Sequence, residues 1–320
     1  MTGLSYRDRN SRGVALVVVL WGLVLISIIA GGVAVGTRTD TTMAFNIAEN
    51  AKARALAEAG IQRGILELLQ RETSTWLFDG TDYPVSVAGG EIAVALQDEL
   101  GKIDLNTAPY ELMRALFASA DLDDDAARAL ADAVADYRDE DDLVRLNGAE
   151  RRDYGAAGLS HEPKNAPFEA IEELRLVLGM SEELFRRVAA LITVHSRRPW
   201  VNLSTAPKDV LLAMPGLDDA GLERILDGRI ENEEESDEPA SSTPSPPAVL
   251  PTQFGRVAPP GVIMTVRAEA ETAGGGIFVR EAIVRNLGQV EAPYDILEWK
   301  QGVRRPPATQ EVVNEQTPPR

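Results

Sequence analysis

Residues 14–35, VALVVVLWGLVLISIIAGGVAV, form an uncharged run of 22 residues, and no other feature limits the fold so strongly. As a helix rising about 1.5 Å per residue the run is roughly 33 Å long, enough for one hydrocarbon core. Arg7, Arg9 and Arg12 precede it with only Asp8 opposing. That bias keeps the short N-terminus cytoplasmic and sends the residues after Arg38 outward. Three readings share these facts. A plain anchor needs only the run. A cleaved signal would use Ala34-Val35-Gly36 as its small-residue site, although apolar middles of signals are typically about 7–15 residues. The third rests on the junction Arg12-Gly13-Val14-Ala15-Leu16, where a basic leader meets the apolar helix at a glycine with no polar spacer.

Downstream, residues 45–71 are rich in helix formers, with Ala51, Ala55, Ala59, Ile61, Ile65, Leu68 and Leu69 at helical spacing. This predicts one helix from residue 14 to about residue 72, interrupted or bent where Gly31, Gly32 and Gly36 weaken it. Residues 84–88 and 91–96 alternate around Gly89-Gly90, and residues 262–270 and 277–285 flank Gly274-Gly275-Gly276. These are two hairpins. Isolated hairpins are marginal, so both belong to one antiparallel sheet packed on the helix, built from residues 73–101 and 261–299. Residues 102–230 are then an all-α insertion. The fold class is α+β.

The insertion contains a repeat. Ile103-Asp104-Leu105-Asn106-Thr107-Ala108-Pro109 returns as Val201-Asn202-Leu203-Ser204-Thr205-Ala206-Pro207. Each copy starts a helix, with Thr107 or Thr205 as cap and the proline in the first turn. Residues 231–260 form an acidic, Pro- and Ser-rich linker, and residues 300–320 a disordered tail.

Composition bounds the chemistry. Fifty Asp and Glu against 32 Lys and Arg give a formal charge of -18, which repels nucleic acid, so no nucleic-acid partner is expected. There is no cysteine, which removes a thiol nucleophile and a Cys-ligated zinc, and only His161 and His195, which leave little material for a His-based metal site or triad. No enzyme is expected. His195 reads as a helix C-terminal histidine.

Two acidic clusters stand out. Asp123, Asp124 and Asp125 suit the start of the following helix, where carboxylates complement its dipole. Asp136, Asp139, Glu140, Asp141 and Asp142 stand where that helix ends, the wrong end of the dipole. Either they hold a hard cation, since Ca²⁺ takes six to eight oxygens, or they form a solvated loop.

The phrase Asn106-Thr107-Ala108-Pro109 with Glu111-Leu112 is similar to helix-hairpin-helix modules, many of which bind DNA backbone through a Gly-x-Gly hairpin. The second copy has Asp218 where the second glycine would stand, and the first copy has neither glycine. The scaffold is expected without the binding. A membrane-anchored helix-hairpin-helix DNA receptor is the alternative function, and the acidity opposes it.

The Gly13 junction resembles that of type IV pilin-like precursors. That junction, the long helix, the split sheet and the repeat, with Ala135-Asp136-Tyr137-Arg138-Asp139-Glu140-Asp141, Gly148-Ala149-Glu150, Tyr154 and Asn165, resemble the minor pseudopilin K family of type II secretion systems (general secretion pathway protein K). The resemblance covers nearly all of residues 7–299. It implies a type IV pilin-like fold with a helical domain inserted in the sheet. It also implies prepilin peptidase cleavage between Gly13 and Val14, leaving residues 1–13 as leader, and a single-pass inner-membrane protein with a periplasmic bulk. Its partners would be minor pseudopilins I and J at the tip of the pseudopilus. Calcium is the implied cofactor, carried over to Asp136, Asp139 and Asp141, with Glu150 as a further ligand. Most pilin-like subunits carry a glutamate five residues after the cut, which neutralises the neighbour's terminal amine; here it is Val18, which suits a subunit with no neighbour above. N-terminal sequencing of membrane-extracted protein should start at Val14; a start at Met1 or near Thr37 excludes this processing.

Overall fold

The computed structural model describes residues 11–234 and 253–304, apart from the side chains of residues 11–14, 31–39 and 230–234. In chain order the elements are α1 (Ser11–Leu69), β1 (Asp79–Val87), β2 (Gly90–Asp98), β3 (Ile103–Asp104), α2 (Tyr110–Ser119), α3 (Asp124–Arg138), α4 (Arg151–Ala156) and α5 (Glu182–Val188). Then come β4 (Ile192–Thr193), β5 (Val201–Asn202), α6 (Lys208–Leu212), α7 (Asp219–Glu234), β6 (Gly255–Arg256), β7 (Ile263–Thr272), β8 (Ile277–Asn286) and β9 (Tyr294–Gln301). The main sheet is antiparallel with order β1-β2-β7-β8-β9. Asp98, the last residue of β2, pairs with Met264 of β7, so residues 99–262 enter and leave the sheet between two neighbouring strands.

Helix α1 is continuous through Gly31, Gly32 and Gly36, with no interruption there. Its C-terminal half buries Ala57, Ile61, Ile65 and Leu68 against Ile92, Val94, Leu96, Val266, Ala268 and Val284. The buried stripe differs from the one expected, since Ala51, Ala55, Ala59 and Leu69 are exposed whereas Ala53, Ala57, Gly60 and Gly64 are buried. Close approach explains the choice. A Cβ on Gly60 would lie 2.7 Å from Ala268 Cβ and from Ile92 Cγ2, and one on Gly64 would run into Val266. Only glycine at both positions lets the helix lie this near the strands. Toward the N-terminus Met43, Phe45 and Ile47 are exposed. Among the described residues no helix is long and apolar enough to cross a membrane; described side chains of the apolar run cover residues 15–30.

The insertion is not all-α. Its two copies of the repeated motif each contribute a short strand to a parallel pair, Ile103 with Ile192 and Val201 with Gly255. The copies have matching bonds. Asp104 Oδ1 accepts from the Asn106 amide (2.9 Å) and Oδ2 from the Arg197 amide (2.8 Å). Asn202 Oδ1 accepts from the amides of Ser204 (3.2 Å) and Ala258 (3.1 Å). Arg138 donates to the carbonyls of Leu105 and Ala108, and Arg229 to those of Leu203 (2.6 Å) and Ala206 (2.8 Å). Thr107 and Thr205 are not helix caps as expected. Pro109 and Pro207 hold that position without a side-chain bond, while the threonine hydroxyls donate inward to Asp104 and Asp98. Two sequence boundaries also move. Helix α7 continues to Glu234, and β6, with Phe254 buried beside it, orders the end of the segment read as linker. Strand β9 runs to Gln301, into the segment read as tail. Residues 235–252 and 305–320, the rest of those two segments, and residues 1–10 of the leader lie outside the described residues.

Polar contacts join the insertion to the sheet around a cavity of about 480 Å³. Glu99 accepts from Thr265 Oγ1 (2.6 Å), Lys102 Nζ (2.7 Å) and the Thr193 hydroxyl. Arg229 pairs with Asp79 at 3.1 Å. His195 follows β4 rather than ending a helix, and its Nε2 stands 3.9 Å from Glu298 on β9.

Two predictions follow from this packing. Gly64→Ala should lower stability in urea by about 1–3 kcal/mol through overpacking, against the roughly 1 kcal/mol that removing a helical glycine ordinarily returns; a gain would show that the close approach is absent. The second concerns Glu298, whose carboxyl is held down at about 2 by the imidazole of His195 and the ammonium of Lys300, from an ordinary 4.5. A depressed carboxyl contributes stability above its unfolded pKa and loses it as pH falls toward the folded one. Glu298→Gln should therefore cost most above pH 4.5 and nothing near pH 2, read as denaturation midpoints across that range; a pH-independent cost would rule out the ion pair.

Candidate functional site

The best-defined polar cluster lies where α3 ends. Asp123 caps the start of α3, its Oδ1 accepting from the Ala126 amide at 2.8 Å, as the sequence predicted. At the other end Asp136 is fully buried and Glu150, just before α4, is 5% exposed, while Asp139 is half-buried. The chain between them folds back over Asp136. Asp136 Oδ2 accepts from the Arg145 amide (3.2 Å), and Asp132 Oδ2 accepts from the amide and side chain of Asn147 (both 3.2 Å). Gly148 permits this passage, because a Cβ there would collide with Asp136 Oδ2. Asn165, at φ +49°, bonds through its own amide to the Tyr137 carbonyl (3.0 Å) and through Nδ2 to Asp142 Oδ1 (3.0 Å).

Buried polar atoms ordinarily find partners. Among the described residues the buried side-chain oxygens that find none are Asp136 Oδ1, Asp139 Oδ1, both Glu150 carboxylate oxygens and Asn165 Oδ1. Every one belongs to this cluster. At the start of α4 the Asp153 amide donates to the Glu150 carbonyl (2.8 Å) and the Glu150 amide donates to Asp153 Oδ2 (3.0 Å), so these bonds involve neither carboxylate oxygen of Glu150.

The electrostatics agree. Burial, then the charges of Asp136, Asp139, Asp142 and Asp141, push the Glu150 carboxyl up to about 7. Burial and the charge of Asp139 raise Asp136; burial and the charge of Asp141 raise Asp139. Carboxylates held together without a compensating cation shift this way. Arg145 supplies part of one, with Nε 3.2 Å from Asp136 Oδ1 and Nη2 3.5 Å from Asp139 Oδ2.

Of the residues predicted from sequence, the structure gathers Asp136, Asp139 and Glu150. Asp141 stands at the rim, exposed, with Oδ1 accepting from the Leu143 amide (2.9 Å). Asn165 was not among the predicted ligands, and only its positive φ and orphaned oxygen mark it. The oxygen donors fit a hard divalent ion, although among the described residues no three His, Cys, Asp or Glu side chains are yet arranged as a metal site. Val18 is exposed on α1. The side chains at the predicted cleavage point, Gly13 and Val14, lie outside the described residues. Asp218, where a DNA-binding hairpin would have glycine, accepts from the Gly221 amide at 2.8 Å and so caps α7.

Residues 94–197, which contain the whole cluster, match the family model described as "Type II secretion system (T2SS), protein K". The chain is 26% identical over 245 residues to type II secretion system protein K of Pseudomonas aeruginosa, covering 69% of this chain and 73% of that protein. To the Aeromonas hydrophila protein K it is 32% identical over 147 residues, 43% of this chain and 44% of that one. The chain is thus similar, most strongly across its inserted unit, to type II secretion system protein K. Its fold is similar to a chain in the crystal structure of the GspK-GspI-GspJ complex of enterotoxigenic Escherichia coli, with TM-score 0.54 at 18% identity, over 84% of this chain and 99% of that one. The mixed architecture with an antiparallel sheet is thus shared with that structure.

If the cluster repels itself, neutralising one member should help. With chelator present Glu150→Gln should melt above the natural chain. Added calcium should then raise the melting temperature of the natural chain, by the equivalent of about 2.7 kcal/mol at a hundredfold excess over Kd, and that of the variant far less. Equal responses to calcium would remove Glu150 from the site.

Proposed function

We propose that this chain is a protein K family minor pseudopilin at the tip of the type II secretion pseudopilus, where it starts or caps the filament that drives folded proteins through the outer membrane. The observation that carries the reading is the placement of residues 99–262 between adjacent strands β2 and β7. A domain of that bulk beside every α1 helix is incompatible with the close repeat of a helical filament, but not with its end. The exposed Met43, Phe45 and Ile47 offer apolar surface to neighbouring helices below. Val18 fits the same position, since a carboxylate in hydrocarbon is costly unless paired and a tip subunit has no neighbour above.

The chain is read as a prepilin peptidase substrate cut between Gly13 and Val14, held in the inner membrane by the apolar run with its bulk in the periplasm. By analogy with the complex solved for the structural relative, its partners are minor pseudopilins I and J. Calcium is read as a structural ion for the insertion, held by Asp136, Asp139, Glu150 and Asn165 with Asp141 at the rim. Its double charge would offset the carboxylate repulsion and tie the end of α3 to the start of α4. The role is assembly, with no catalytic step.

Immunogold labelling of assembled filaments with antibody to the insertion tests the position. Label at filament ends is expected, and label along the shaft would overturn the tip reading. Val18→Glu should reduce assembly, because the new carboxylate must stay unpaired or take a proton.

A further inference from the structure

The cluster at the end of α3 already has a cation beside it, the side chain of Arg145. The guanidinium lies against two of the three gathered carboxylates, 3.2 Å from Asp136 Oδ1 and 3.5 Å from Asp139 Oδ2. It leaves much of the cluster unserved, since Asp136 Oδ1, Asp139 Oδ1 and both Glu150 carboxylate oxygens still lack a hydrogen bond among the described residues. One charge spread over two carboxylates in single contacts is a weak arrangement for arginine, whose strong mode is the bidentate fork.

The backbone under Arg145 is held independently of the side chain. Its amide donates to Asp136 Oδ2, its carbonyl accepts from the Gly148 amide (3.1 Å), and Asn147 is fixed to Asp132. The side chain, by contrast, is 49% exposed, so it can leave for water without unfolding the loop. Asp136 Oδ2 already accepts from the Arg145 amide, which leaves Oδ1, the oxygen that Arg145 Nε approaches, as the one open to a divalent ion. A guanidinium charge at that oxygen opposes a second cation there.

We propose that Arg145 is an exchangeable internal cation of this site, which steadies the carboxylates when no metal is bound and must swing into solvent for a divalent ion to enter. The proposal rests on the reading of the cluster as a divalent-cation site and adds to it a built-in competitor. Metal affinity is thereby set lower than the oxygen ligands alone would give. The acid cluster also avoids full self-repulsion before metal arrives, which matters for a domain that must fold first.

Calorimetric titration of calcium chloride into the full-length chain in detergent, with Arg145→Gln and Arg145→Lys alongside, tests this. Arg145→Gln should bind calcium about three- to tenfold more tightly, the size expected for losing a partly exposed ion pair. It should melt lower than the natural chain in chelator and level with it in saturating calcium. Arg145→Lys keeps one charge but cannot span both carboxylates, so its affinity should fall between the two; it also keeps the test decisive if the glutamine variant does not fold. Unchanged or weaker calcium binding in the variants would mean that Arg145 does not compete, and would overturn the proposal while leaving the calcium reading intact. No binding by the natural chain would instead remove the calcium reading, and the proposal with it.

Discussion

Everything outside the sheet depends on the buried carboxylate of Asp98, where the chain leaves β2. Its Oδ1 accepts from the Leu100 amide (3.0 Å), and its Oδ2 from Thr205 Oγ1 (2.9 Å) and from the Gly261 amide (3.1 Å). One side chain thus joins the departing strand, the second copy of the repeated motif and the returning strand. Burial pushes its carboxyl up, and the donors around it act against that shift. A residue so placed holds the two ends of residues 99–262 side by side, so the insertion hangs from the sheet as a closed unit. Its removal would leave several buried donors unsatisfied, each costing about 1–3 kcal/mol.

The two copies of the motif share one geometry and have diverged in use. In each, an acid or amide catches a backbone amide after a parallel strand, and an arginine from a later helix closes on two carbonyls. Arg229, in the second copy, also reaches Asp79 and so binds the insertion to the sheet. Arg138, in the first copy, ends α3 directly before Asp139. The second copy is therefore the dock, and the first the base on which the acidic cluster is built. That division leaves the cluster at the side of the insertion's own core, its loop tied back to α3 through Asp132 and Asp136.

The proposed role follows from the same layout. A helix that fits closely on a sheet through Gly60 and Gly64 can be one subunit of a packed assembly, and a large unit hung between β2 and β7 restricts where in that assembly it can stand. In the proposed reading, position in the filament is a steric property of the chain, separate from the acidic cluster at the end of α3.

Much of this was legible in the residues themselves. The apolar run, the turns at Gly89-Gly90 and Gly274-Gly276, the Leu-x-Thr-Ala-Pro repeat and the carboxylates at the end of α3 are local signals, because periodicity, turn chemistry and helix polarity act over a few residues. What they left open depended on partners distant in sequence. The alanines of α1 repeat on two faces, and only the approach of Ala268 and Val266 determines that Ala53, Ala57, Gly60 and Gly64 are the buried ones. Thr107 and Thr205 carry the composition of caps, yet they turn toward Asp104 and Asp98, one near in sequence and the other far. Strands β3 to β6 are too short to leave a pattern and exist because their partners lie 50 or more residues away. Asp141 and Asn165 differ in the same way. Both are polar residues beside an acidic tract, and only the folded chain spends Asp141 on a local turn while leaving the Asn165 oxygen buried and unpaired.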